Sequence, residues 1–139
     1  MREIRNVPID DIRPYKNNPR INKRAIPHVA NSIMRFGWQW PILVDKDFNI
    51  IAGHTRLEAA KQLGHQQVPI LVSEGLNEEE VRAFRIADNR SSEYAQWDMD
   101  KLKVEFEELE NFDAADFDFK FDIDDQFEEE SGKTETIDV

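Results

Sequence analysis

The sequence predicts a small α/β (α+β) domain, a mixed sheet flanked by helices. Three observations carry this expectation. The chain has 139 residues, 40% of them hydrophobic, which suits one domain with a modest core and a tail. Short apolar runs of strand length alternate with segments of helical periodicity. Read in order, these give strand, helix, hairpin, helix, strand, helix, helix, a succession that fits helices laid on a mixed sheet.

The elements follow from their residues. Ile4 to Ile9 reads as a first strand, and Asp10 to Arg20 as a polar loop holding Pro14 and Pro19. From Arg24, the residues Ile26, Val29, Ala30, Ile33 and Met34 recur on one helical face. Pro27 suits a helix's first turn, where a missing N–H costs little, and Gly37 suits its end. Pro41 to Val44 and Asn49 to Ala52 form two apolar strands about a polar turn, hence a hairpin. Gly53 breaks the second strand. Thr55 to Leu63 reads as a helix closed by Gly64, and Val68 to Val72 as a strand. Asn77 with Glu80 makes a capping box, with acids at the positive end of a helix that should run to about Ala87. Asp98 opens a last helix through Leu102, Phe106 and Leu109.

Beyond Asn111 the pattern changes. Phe117, Phe119, Phe121 and Ile123 alternate with charged residues, as in a strand. Residues 128–139 are polar and read as disordered. The expected organisation is therefore a domain over 1–97, a helix over 98–111 and an acidic aromatic tail over 112–139.

Composition excludes several function classes. The chain has no cysteine, hence no disulfide, thiolate metal site or cysteine nucleophile. No stretch approaches the roughly 20 apolar residues of a membrane span, and no secretory leader is visible, so the expected location is cytoplasmic. The net charge of −11 argues at first against nucleic acid. The sum conceals an asymmetry: residues 1–97 carry 14 basic and 12 acidic side chains, whereas residues 98–139 carry 4 and 17. The acidity belongs to the C-terminal third, and the N-terminal segment is mildly basic.

The most informative stretch is Ile50-Ile51-Ala52-Gly53-His54-Thr55-Arg56-Leu57-Glu58-Ala59-Ala60. A strand ends at a glycine and turns directly into a helix. The helix start offers backbone N–H groups and a positive dipole end, and Arg56 in the first turn adds a guanidinium. Together these describe a phosphate-binding corner, although a purely structural turn has the same local pattern. His54 reads either as a general base, because imidazole titrates near neutrality, or as a residue lining the helix start. His28 and His65 lack ligand-like spacing with it and read as surface residues. Trp38 and Trp40 either stack a base or close the edge of a core. Arg13, Lys16, Arg20, Lys23 and Arg24 either meet phosphates or form a solvated loop. The phenylalanines of the tail, Phe112, Phe117, Phe119, Phe121 and Phe127, suit a docking strand on this or a partner's sheet, or a nucleic-acid mimic laid over the basic loop. The Asp122-Ile123-Asp124-Asp125 cluster lacks the glycine turn a calcium loop needs.

A family becomes recognisable in the succession Asn31-Ser32-Ile33, Gly37, Pro41 to Val44, and Gly53 to Arg56 with Ala59-Ala60. Over residues 4 to about 92 the sequence resembles the ParB N-terminal domain, which shares its fold with sulfiredoxins. The family's phosphate motif is Gly-Glu-Arg-Arg. Gly53 and Arg56 match its ends, whereas His54 and Thr55 depart from its middle. Asn18 and Arg20 lie in a loop similar to the family's Asn-Pro-Arg segment. Asp88-Asn89 resembles the acidic–Asn pair that helps hold nucleotide and metal, and Arg90 is shifted from the motif's basic position. The resemblance implies binding of CTP or another nucleoside triphosphate with Mg²⁺. It assigns Gly53, His54, Thr55, Arg56, Asn18, Arg20, Asn89 and Arg90 to phosphate or nucleotide, and Asp88 to metal. It also offers His54 and Asp88 as catalytic groups if the chain is a metal-dependent nuclease or NTPase. Sulfiredoxin chemistry is excluded, because His54 stands where that chemistry needs cysteine. Residues 98–139 are too short and too acidic for the DNA-binding and dimerisation domains of ParB clamps. The Gly-His-Thr-Arg variant with Ala87-Asp88-Asn89-Arg90 and Trp97-Asp98 is similar to ParB-type domains of phages and mobile elements, often linked to DNA methyltransferases. Nucleotide, DNA and a methyltransferase are thus the implied partners, and a protein-interaction module acting through the acidic tail is the remaining alternative.

Overall fold

The computed structural model describes residues 2–18 and 23–121. The chain forms the α/β arrangement with a mixed sheet that its sequence predicts. Its strands are β1 (Arg5–Pro8), β2 (Ile42–Val44), β3 (Ile50–Ala52) and β4 (Gln67–Val72), and its helices α1 (Ile26–Phe36), α2 (His54–Gln62), α3 (Glu78–Ser92) and α4 (Met99–Glu108). Two compact units divide the chain at residues 89 and 90.

In the first unit the sheet order is β1-β4-β2-β3. β4 runs antiparallel to β1 and parallel to β2, and β2 and β3 form the antiparallel hairpin. The parallel pair requires a crossover, and α2 supplies it between β3 and β4. Asp45 closes the hairpin turn: its carboxylate accepts from the Asp47 and Asn49 amides at 2.9 Å each. Ile42, Val44, Ile50, Leu57, Val68 and Ile70 make the fully buried centre. Ala30, Ile33 and Ala59 form a second cluster, with Trp38 packed against both. The adjacent pair Ala59 and Ala60 lets α2 contribute to both clusters, Ala60 towards the sheet and Ala59 towards α1. Larger side chains at these fully buried positions would hold the layers apart.

The polar loop after β1 is more ordered than its composition suggests. Arg13 pairs with Asn49 as an extra rung on the edge of β3, its N–H donating to the Phe48 carbonyl and its carbonyl accepting from the Ile50 N–H. This rung satisfies part of an otherwise open strand edge and carries Tyr15 to the start of α2.

Helix α3 differs from expectation. It continues five residues past Ala87, to Ser92, so Asp88 and Asn89 lie on a helix rather than after one. Helix propensity alone gives no reason for the Asp-Asn pair to be helical; an established helix has one bond to gain per added residue. The start is as expected, with reciprocal bonds between Asn77 and Glu80.

In the second unit Asp98 caps α4, accepting from the Lys101 N–H. The strand expected from the Phe117–Phe121 alternation is not formed within the described residues. Ala114–Phe117 is a 3-10 turn, closed by a capping box between Asp113 and Asp116. The rings collect instead: Phe117, Phe119 and Phe121 each lie within about 6 Å of Phe106 of α4, and Trp97 meets Phe119 edge-on. Local side-chain bonds from aspartates thus override an alternating pattern. Ile123, Phe127 and the Asp122–Asp125 cluster lie outside the described residues, as does the polar end of the tail. No helix among the described residues is long and apolar enough to cross a membrane.

Candidate nucleotide site

Gly53 is the N-cap of α2 in the left-handed region, at φ 115°. A Cβ there would stand 3.3 Å from the Ile42 Cα. The glycine is therefore demanded by two things at once, its dihedral and the backbone of β2 passing alongside. No side chain caps the first turn of α2 among the described residues, so the amides of His54, Thr55 and Arg56 face outward as helix-start donors. The Arg56 guanidinium folds over this start, with Nη1 3.4 Å from the Gly53 Cβ position. Burial depresses the Arg56 pKa, and the charge of Asp88 on α3 opposes that change. Arginine remains charged throughout the physiological range. Thr55 is half-buried in the same turn.

His54 is committed. Its Nε2 accepts the Tyr15 backbone N–H at 3.1 Å, which puts the proton of the neutral ring on Nδ1. Its pKa lies below the ordinary value, chiefly because burial disfavours the imidazolium, with repulsion from Arg85 adding and Glu58 opposing. The lone pair a general base needs is already engaged. The Tyr15 carbonyl in turn accepts from the Asn18 N–H at 3.2 Å, which brings the Asn18 turn to the same corner.

Tyr15 and Arg85 are the members that sequence reasoning missed. Arg85 is only 3% exposed. Its Nη2 donates to the Ile50 carbonyl at 2.9 Å, and its guanidinium stacks 3.6 Å from the Tyr15 ring centroid. Nε is buried with no partner among the described residues. Burial lowers the Arg85 pKa, opposed by Tyr15 and Asp45. The one available signal was its spacing, three residues before Asp88 on one helix, which puts both on one face of α3. Arg85 and Tyr15 also line a cavity of about 670 Å³ with Asp45, Asn49, Val72 and Arg82.

The structure thus joins Gly53, His54, Thr55, Arg56, Asn18 and Asp88, with Asn89 next along α3. Arg20 lies outside the described residues. Arg90 belongs to the second unit, where it pairs with the Glu93 carboxylate at 2.8 Å and donates to the Tyr94 hydroxyl at 3.3 Å. His65, expected at the surface without a role, accepts at Nδ1 from the Trp38 indole N–H.

Residues 1–90 match the model of the ParB N-terminal domain. The chain belongs to this family. It is 38% identical over 74 residues to the ParB-like nuclease domain-containing protein YnaK of Escherichia coli K12, covering 52% of this chain and 85% of that protein. It is 39% identical over 71 residues to the probable chromosome-partitioning protein ParB of Rickettsia felis, covering 50% of this chain but 25% of that protein. Among solved structures it is similar to the C-terminally truncated chromosome-partitioning protein ParB of Caulobacter crescentus complexed with CTP-gamma-S. There the TM-score is 0.65 and the identity 26%, over 76% of this chain and 61% of that one. The match to the Rickettsia partitioning protein therefore spans about a quarter of its length. Within the ParB N-terminal domain as it occurs here, the helix start at Gly53 and the Arg56 guanidinium are the parts suited to an anion.

Proposed function

We propose that this ParB N-terminal domain binds a nucleoside triphosphate, CTP by analogy with the Caulobacter relative, with its phosphates on the first turn of α2. The observation that carries the reading is the Arg56 guanidinium folded over an uncapped helix start, a fixed set of donors and positive charge in one corner. The donor set also bears on Mg²⁺. No group of three or more His, Cys, Asp or Glu among the described residues stands ready to hold a metal. Mg²⁺ is commonly held by one or two carboxylates together with the phosphates of its nucleotide, so Asp88 fits as the single protein ligand. There the ion would neutralise phosphate charge. Asn18 and Asn89 complete the rim in this reading, to which the sequence motif adds Arg20, outside the described residues. The wider role is DNA partition or modification, with DNA and a methyltransferase of a phage or mobile element as partners.

Isothermal titration with CTP, UTP, ATP and GTP in the presence of Mg²⁺ tests the proposal. At least one should bind, and Arg56→Ala should abolish binding while thermal unfolding stays cooperative. If Arg56→Ala binds as the wild type does, the corner is not the site.

A second reading, a metal-dependent nuclease or NTPase using His54 or Asp88, is favoured by the name of the YnaK relative. Incubation with supercoiled and single-stranded DNA, or with nucleotide, plus Mg²⁺ or Mn²⁺ separates the two. Cleavage lost in both His54→Ala and Asp88→Ala would support catalysis. With the His54 lone pair engaged, we expect binding without turnover dependent on His54.

A further inference from the structure

Trp38 and Trp40 stand two residues apart, and the fold treats them oppositely. Trp38 is half-buried, packs against both core clusters and donates to His65. Trp40 is 70% exposed, and its ring has no partner among the described residues. It is nevertheless not a stray surface residue. It shares a groove of about 340 Å³ with Arg56, Ser32, Gly37 and His28. The groove is at the small end of the range for small-molecule sites and suits a single nucleoside rather than a polymer.

The segment that presents Trp40 is held at several points. The Gly37 N–H donates to the Ile33 carbonyl at 2.8 Å, the Gln39 side-chain amide donates to the Phe36 carbonyl at 2.8 Å, and Trp38 is anchored in the core. Pro41, directly after Trp40, restricts the backbone further. A large aromatic face is therefore offered to the groove at little additional cost in ordering.

We infer that the Trp40 indole is the stacking platform for the base of the nucleotide whose phosphates occupy the Gly53–Arg56 corner. This inference rests on the nucleotide reading above. Stacking needs only a π-face, so Trp40 contributes affinity for the nucleoside half of the ligand while Arg56 contributes affinity for the phosphate half.

The two halves can be titrated apart in the full chain, using the four nucleoside triphosphates in turn and inorganic tripolyphosphate. Trp40→Ala should weaken the nucleotide that binds best by about 5- to 150-fold, the range of one aromatic–base stack. It should leave tripolyphosphate affinity unchanged. Trp40→Phe should stay within a few-fold of wild type. Tryptophan emission should be quenched by nucleotide but not by tripolyphosphate, and the quench should disappear in Trp40→Phe. If Trp40→Ala binds nucleotide as tightly as wild type while Arg56→Ala does not, the stacking inference is overturned and the phosphate corner stands. Equal loss of nucleotide and tripolyphosphate in Trp40→Ala also overturns it. If wild type binds neither ligand, the nucleotide reading itself fails.

Discussion

A histidine at the mouth of the proposed phosphate site invites a catalytic role, and the bond it makes argues for a strut instead. His54 Nε2 holds the Tyr15 amide at 3.1 Å, and the burial that lowers its pKa keeps it in the neutral form able to do so. The consequence for pH has a definite sign. The unfolded chain takes up the proton at about 6.5, above the folded value. The stabilisation is therefore complete above about 6.5 and is lost as pH falls through the folded pKa. Urea midpoints should drop between pH 7.5 and 5.5, and His54→Gln, which offers an acceptor but does not titrate, should flatten that slope. An unchanged slope would mean that other groups set it. Gly53 makes the neighbouring prediction. Its φ of 115° and the 3.3 Å approach to Ile42 penalise any Cβ, so Gly53→Ala should cost about 1–3 kcal/mol in urea unfolding.

At the scale of elements, α2 and α3 both contribute to the corner. α2 brings the helix start and Arg56. α3 brings Asp88, whose charge opposes the lowering of the Arg56 pKa, and Arg85, which fastens the edge of β3. Arg85→Met keeps an apolar stem of similar reach but removes the donor to the Ile50 carbonyl and the cation over Tyr15. Leaving that carbonyl unpaired should cost about 1–3 kcal/mol. Because Tyr15 loses its stacking partner, the Tyr15 amide should exchange its hydrogen faster than in wild type; an unchanged exchange rate would show that the His54 bond holds the loop alone. The hairpin, α1, α2 and the start of α3 were legible from periodicity, glycines and capping residues, because such signals act within a few residues. The length of α3 was not, since Asp88 and Asn89 are weak helix formers that neighbouring turns carry along. The Phe117–Phe121 alternation misled for the converse reason: the Asp113–Asp116 capping box fixes a turn before any partner strand is met.

For the molecule as a whole, charge is distributed by segment. The family domain is nearly neutral, and residues 98–139, with 17 acidic and 4 basic side chains, repel polyanions at a distance. Deleting residues 112–139 should raise affinity for DNA or tripolyphosphate at low salt. The gain should shrink towards physiological ionic strength, where the Debye length is about 8 Å. No gain at low salt would show that the tail leaves the site's field untouched. The sequence by itself determined the α/β class, the family and the Gly53–Arg56 turn, because strand and helix periods, a glycine at a strand–helix junction and a first-turn arginine are local properties of neighbouring residues. Only the tertiary structure decided that His54 accepts from Tyr15, that Arg85 is buried against that tyrosine, and that of two nearby tryptophans one joins the core while the other faces the groove. Each of these depends on which chain segments meet across 27 to 70 residues of sequence, a matter of packing that no local pattern records.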